Sequence, residues 1–125
     1  MVVHSDFELT EIVEKGLPTE SISELREKGF SFTEIAEVVI SPRTLKHRKA
    51  RSENLSHEET DRVVRVNRIL ALAETVFGDR AKALLWLRGC DERIGNRPPV
   101  DLLRTEAGGR VIEGMLWAID EGVYS

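Results

Sequence analysis

The chain has 125 residues, 41% of them hydrophobic and 32% charged, which suffices for one ordinary domain or two very small ones and excludes a disordered chain. Its one cysteine, Cys90, excludes an intramolecular disulfide and fits a reducing cytoplasm. No apolar run approaches the ~20 residues that span a bilayer, and Met1 to Glu8 lacks the basic start and apolar core of a signal peptide, so no membrane partner is expected.

The net charge of −4 argues on its face against a nucleic-acid binder, but the charges are unevenly placed. Residues 5–37 carry nine acids and three bases, residues 41–51 five bases and no acid, and residues 52–125 thirteen acids and ten bases. A cation cluster in an acidic chain is either a functional patch or a solvated helix face.

Strand signals are weak throughout, and the pattern predicts an all-α protein. Phe7 to Val13 reads either as a short helix or as a mobile arm. Three Ser-x-x-Glu boxes, Ser21 to Glu24, Ser31 to Glu34 and Ser56 to Glu59, predict helix starts at which hydroxyl and carboxylate each satisfy an orphan N–H. They open helices over Ser21 to Lys28, Phe32 to Val39 and His57 to Phe77, with Pro42 to Arg51 between the last two. The longest carries the stripe Val63, Val66, Ile69, Leu70, Ala73, Val76 and Phe77. A further helix is expected over Asp79 to Arg88, then a loop from Gly89 to Arg97. Pro99 starts another helix, and Thr105 caps the last. Gly29, Gly78, Gly89 and Gly122 stand where left-handed caps belong.

Phe32 to Val39, a turn, and Pro42 to Arg51 have helix-turn-helix logic. Ala36 is small enough for a close crossing, and Ile35, Val39 and Leu45 are expected to face the core. That leaves Arg43, Thr44, Lys46, His47 and Arg48, continued by Lys49 and Arg51, to contact DNA phosphates and base edges. The turn Val39-Ile40-Ser41 lacks the usual glycine and is one residue short, so a solvated cationic helix is the competing reading.

Together these segments resemble the Xre/MbcA/ParS antitoxins that partner RES-domain toxins. The resemblance covers roughly residues 15–125 and rests on ordered segments. These are Ile40-Ser-Pro-Arg-Thr-Leu-Lys-His-Arg48, Leu55 to Val66, Val76-Phe-Gly-Asp79, Trp86-Leu87, Pro99 to Gly108, Val111 and Gly122-Val-Tyr124. It implies an Xre-like helix-turn-helix unit over 1–55 that binds the promoter of its own operon, a connecting long helix over 56–78, and a toxin-binding module over 79–125. It also implies a homodimer, and a toxin that degrades NAD or uses it for ADP-ribosylation. On that reading the C-terminal module covers the toxin's active site through Arg104, Thr105, Gly108, Trp117, Gly122, Val123, Tyr124 and Ser125.

Each of these has a plainer reading. Arg104 can neutralise Asp101 or Glu106, Trp117 can cover the long helix, and Tyr124 can be a frayed end. Gly108-Gly109 within a helical pattern signals close backbone approach, either to a neighbouring helix or to a partner. Trp86, Leu102, Leu103, Val111 and Leu116 are expected in the core. An enzyme is not expected, nor a cofactor or metal. His4, His47 and His57 lie in separate elements, and Cys90 sits beside two acids, the wrong surroundings for a thiolate nucleophile. The alternatives to an antitoxin are a stand-alone helix-turn-helix repressor and a protein adaptor without DNA binding.

Overall fold

A computed structural model describes residues 5–122 of the chain. Its helices are α1 (Asp6–Lys15), α2 (Glu20–Glu27), α3 (Phe32–Val38), α4 (Pro42–Ala50), α5 (His57–Phe77), α6 (Arg80–Arg88), α7 (Pro99–Leu102) and α8 (Glu106–Asp120). A 3-10 turn over Glu92–Ile94 interrupts the long loop, and among the described residues no strand forms, only an isolated bridge between Asp91 and Arg97. The chain forms two compact units, one ending at Val63 and the other beginning at Val64, so α5 contributes residues to both.

In the first unit, α1 is a true helix, capped by Ser5 and closed by Gly16 at φ +80°. His57 meets the Glu14 carbonyl at 2.8 Å, the Leu17 N–H donates to the buried Thr60 hydroxyl at 3.0 Å, and Leu17 accepts from Leu55 N–H at 2.8 Å. A Cβ on Gly16 would overlap the Leu55 carbonyl oxygen, so glycine is required for the close approach as well as for the backbone angle. The expected Ser21 cap does not form. Pro18 and Thr19 carbonyls accept the Ser21 and Ile22 N–H groups, which starts α2 earlier and buries Ser21 inside it. The other two boxes close. Ser31 and Glu34 exchange hydrogen bonds of 3.1 and 2.8 Å, and Ser56 and Glu59 exchange bonds of 3.1 and 2.7 Å.

The short turn between α3 and α4 needs no glycine. Val39 takes φ −114°, and the Val39 and Ile40 N–H groups both donate to the Ile35 carbonyl, at 2.9 and 3.0 Å. Arg62 donates to the Val39 carbonyl at 3.1 Å, satisfying a helix-end acceptor. Ile35, Val38, Val39 and Ile40 are all buried, joining Ile22, Leu25, Phe30, Leu55 and Val63. Leu45 departs from expectation. It is only half-buried, and α4 has no fully buried residue, because its inward side faces a groove rather than a closed core.

In the second unit the α5 stripe is buried at Val66, Ile69, Leu70 and Ala73 against Ala83, Leu84, Leu87, Val100, Leu103, Ile112, Met115 and Leu116. Phe77 and Trp86 meet with ring centroids 5.6 Å apart. Gly78 and Gly122 take the left-handed angles expected of them, but Gly89 has φ −83° because α6 runs out into extended chain leading to the Asp91–Arg97 bridge. There the Arg93 guanidinium, at 2.6 Å, and the Arg93 N–H hold the Asp91 carboxyl down at about 2.

The central polar group of this unit is Arg65, only 4% exposed. Its guanidinium donates to the Leu103 carbonyl at 3.3 Å and to the Glu106 carboxylate at 3.4 Å. The two glycines that begin α8 explain themselves here. A Cβ on Gly108 would overlap the Leu102 carbonyl oxygen, and one on Gly109 would come within 2.7 Å of Arg65 Cδ. The close approach that Gly108-Gly109 signals is therefore to α7 and to Arg65. Arg65→Met keeps the apolar stem but leaves the Leu103 carbonyl unpaired, and should destabilise the protein by about 1–3 kcal/mol in urea unfolding. A loss below about 0.5 kcal/mol, the range of ordinary surface changes, would remove Arg65 from this role.

Candidate functional site

α4 begins at Ser41, whose hydroxyl accepts the Thr44 N–H at 3.1 Å and lies 2.8 Å from the Thr44 hydroxyl. Thr44 is thereby half-buried in the helix start. Arg43, Lys46, His47, Lys49 and Arg51 are exposed. Arg51 lies 3.9 Å from Glu53, a surface pairing of small energetic weight. Arg43 and His47, four residues apart, share one side of the helix, while Lys46 and Lys49 border the groove between α4 and the preceding helices.

Arg48 has a different position from the one expected of a groove-reading side chain. Its guanidinium turns inward and grips Glu59 with two hydrogen bonds, Nε at 3.0 Å and Nη2 at 3.2 Å, and lies 3.7 Å from Glu53. Helical spacing explains the reversal, because Arg48 stands on the same side as Thr44, opposite Lys46. Burial alone would push the Glu59 carboxyl up. The Arg48 guanidinium and Ser56 outweigh that and hold it below the usual carboxylate range, while the hydrogen bonds that Arg48 donates to Glu59 raise the pKa of Arg48. Glu59 is thus both the capping carboxylate of α5 and the anchor of α4. The Ser56-x-x-Glu59 box made its capping role legible, whereas nothing in the sequence paired it with Arg48.

The second candidate surface is α8. Its inward side holds Gly109, Ile112, Met115 and Leu116. Its outward side runs through Ala107, Arg110, Val111, Gly114, Trp117 and Ala118, and is apolar for a solvent-facing stripe. Val111 is 47% exposed, so the expectation of a core position fails for it, and Trp117 is 49% exposed. Leu103 and Leu116 are buried as expected, and Trp86 and Leu102 half-buried. Gly114, which the sequence pattern did not single out, is exposed, and a Cβ there would meet nothing within 4 Å.

The other residues expected on this surface divide. Thr105 uses its hydroxyl to accept the Gly108 N–H at 3.0 Å, and Gly108 is required by the α7–α8 corner, so both have structural duties. Arg104 is exposed beside that corner, and Gly122 ends α8 in the left-handed region. They lie at opposite ends of a helix about 22 Å long and do not form one cluster with Trp117. Val123, Tyr124 and Ser125 lie outside the described residues.

A helix-turn-helix with a basic second helix, followed by a helical module with an apolar outer stripe, defines a protein built for binding. Comparison with known proteins names the class. The antitoxin Xre-like helix-turn-helix domain matches residues 8–68, and the antitoxin Xre/MbcA/ParS C-terminal toxin-binding domain matches residues 72–122. An Antitoxin Xre of Pseudomonas putida is 36% identical over 94% of this chain and 74% of its own length. One of Yersinia enterocolitica is 31% identical over 69% of this chain and 59% of its own length, and one of Photorhabdus laumondii 25% over 94% and 81%. The chain belongs to the Xre family of antitoxins, which are not enzymes.

Because the folded-state pKa of Glu59 is depressed, its stabilising contribution is complete above the ordinary value of 4.5 and is lost as pH falls through the lower, folded-state pKa. Glu59→Gln should therefore be less stable than the native protein at neutral pH by about 1.5–3 kcal/mol, with the gap closing as pH falls below 4.5. Thermal unfolding followed by circular dichroism across that range checks this, and parallel curves would contradict it.

Proposed function

We propose that this protein neutralises a toxin through the outward side of α8 and represses its own operon through α4, acting as a homodimer in the cytoplasm. The toxin is an NAD-consuming RES-domain enzyme, and the C-terminal module covers its active site. In this division of labour residues 1–55 bind promoter DNA, residues 56–78 connect, and residues 79–125 bind the toxin.

Gly114 carries this reading. Glycine inside a helix destabilises it by roughly 0.5–1 kcal/mol relative to alanine, and nothing among the described residues requires glycine there. A side-chain-free notch flanked by an exposed valine and tryptophan suits the close approach of a partner's surface, with Trp117 as the anchor. Arg104 and Gly122 extend the contact at the two ends of the helix, and Val123, Tyr124 and Ser125 belong to the same toxin-binding set. Thr105 and Gly108 contribute by holding the α7–α8 corner that presents it. The basic α4 favours DNA binding over an adaptor without it. Arg43 and His47 face outward to meet the duplex, Lys46, Lys49 and Arg51 supply further charge near the phosphates, and Thr44 and Arg48 hold the helix in place.

Two measurements test these halves separately. Gly114→Leu should leave the fold intact or slightly more stable, yet weaken capture of the RES-domain toxin at least tenfold and abolish protection of cells co-expressing it. Full protection by Gly114→Leu and by Trp117→Ala would remove α8 from the contact. Arg43→Ala should lower the salt slope of promoter binding by about 0.9, one phosphate contact. An unchanged slope would take Arg43 out of the footprint, and a native protein that shifts no promoter fragment would favour the adaptor.

A further inference from the structure

The first unit carries an open groove of about 290 Å³ between α2, α3 and α4. Its walls include Ile22, Phe32, Ile35 and Leu45, and Lys46 and Lys49 stand along its edge. Phe32 is 69% exposed, with the Arg26 guanidinium stacked 3.9 Å over its ring, so the groove is apolar within and cationic at its margin. The DNA reading uses the outward side of α4 and leaves this depression without a role.

The same unit displays a helix of complementary character. α1 buries none of its residues fully and places Phe7, 72% exposed, at its start. Phe7, Glu11 and Glu14 follow the i, i+4, i+7 spacing that puts them on one face, while the half-buried Leu9, Ile12 and Val13 lie on the other. That face offers one aromatic ring and two carboxylates a turn apart. The groove offers an apolar hollow and two ammonium groups a turn apart, since Lys46 and Lys49 share the three-residue spacing of Glu11 and Glu14.

We propose that the groove receives α1 of a second copy of this chain, with Phe7 seated against Phe32 and Leu45, and Glu11 and Glu14 set against Lys46 and Lys49. The proposal rests on the homodimer reading and names its surface. Every copy carries both helix and groove, so a reciprocal exchange satisfies two equal contacts and closes the assembly at two chains. Burying two exposed phenylalanines supplies the apolar centre, and the flanking charges set the register. Arg43 and His47 do not line the groove, so the seated helix leaves them to the duplex.

Sedimentation velocity on the full chain, without toxin or DNA, tests this. The native protein should be a dimer at tens of micromolar. Phe7→Glu should weaken self-association about a hundredfold, roughly tenfold for each of the two lost contacts, with unchanged circular dichroism and Tm. Lys46→Glu with Lys49→Glu should do the same, and adding Glu11→Lys and Glu14→Lys to that pair should restore the dimer. A dimer undisturbed by Phe7→Glu and by the lysine reversals would overturn the proposal while leaving the homodimer reading standing. A native protein that stays monomeric would overturn both. Reversals that leave the dimer intact but abolish toxin capture would assign the groove to the toxin and overturn it as well.

Discussion

Each compact unit is organised around one buried charge, and both charges come from α5. A buried ion must be paired and hydrogen-bonded, because leaving it alone in the interior costs several kcal/mol. Glu59 meets that demand with Arg48 and Ser56, and Arg65 with the Leu103 carbonyl and Glu106. α4 is a nine-residue helix with no fully buried residue, far too short to persist alone in water, and Arg48 is the charged link that fastens it. The first turn of α8 is similarly brought down onto Arg65, where Gly109 leaves room for its side chain, while Gly108 makes room for the Leu102 carbonyl.

The basic segment 41–51, uniform in charge, is divided by its helical periodicity into separate tasks. Arg48 turns inward to anchor, Arg43 and His47 face out, and Lys46 and Lys49 border a groove. A cluster that reads as one DNA-binding patch is thus partly scaffold. The turn that precedes it lacks the usual glycine because its geometry needs none. With Val39 at a negative φ and its carbonyl satisfied by Arg62, the turn closes with all its apolar side chains buried, and a left-handed residue has no place in it.

α8 shows the same sorting of one helix into two characters. Its glycines at 108 and 109 permit contacts within the chain, while at Gly114 a side chain would meet nothing among the described residues. A glycine with an internal cause and a glycine without one look alike in the sequence. Gly114 lies on the same side of α8 as the exposed Val111 and Trp117.

The sequence by itself determined the all-α class, the extent of most helices, the apolar stripe of α5 and the family resemblance. These follow from local rules: side chains three or four residues apart share a face, and a serine three residues before a glutamate closes a helix start. Even a local rule failed at Ser21, where Pro18 offered the backbone an earlier start. Only the tertiary structure decided which charges are scaffold. Arg48 and Glu59 are eleven residues apart, Arg65 and Leu103 thirty-eight, and a pairing across such distances depends on where packed helices bring their faces together, which no local periodicity encodes.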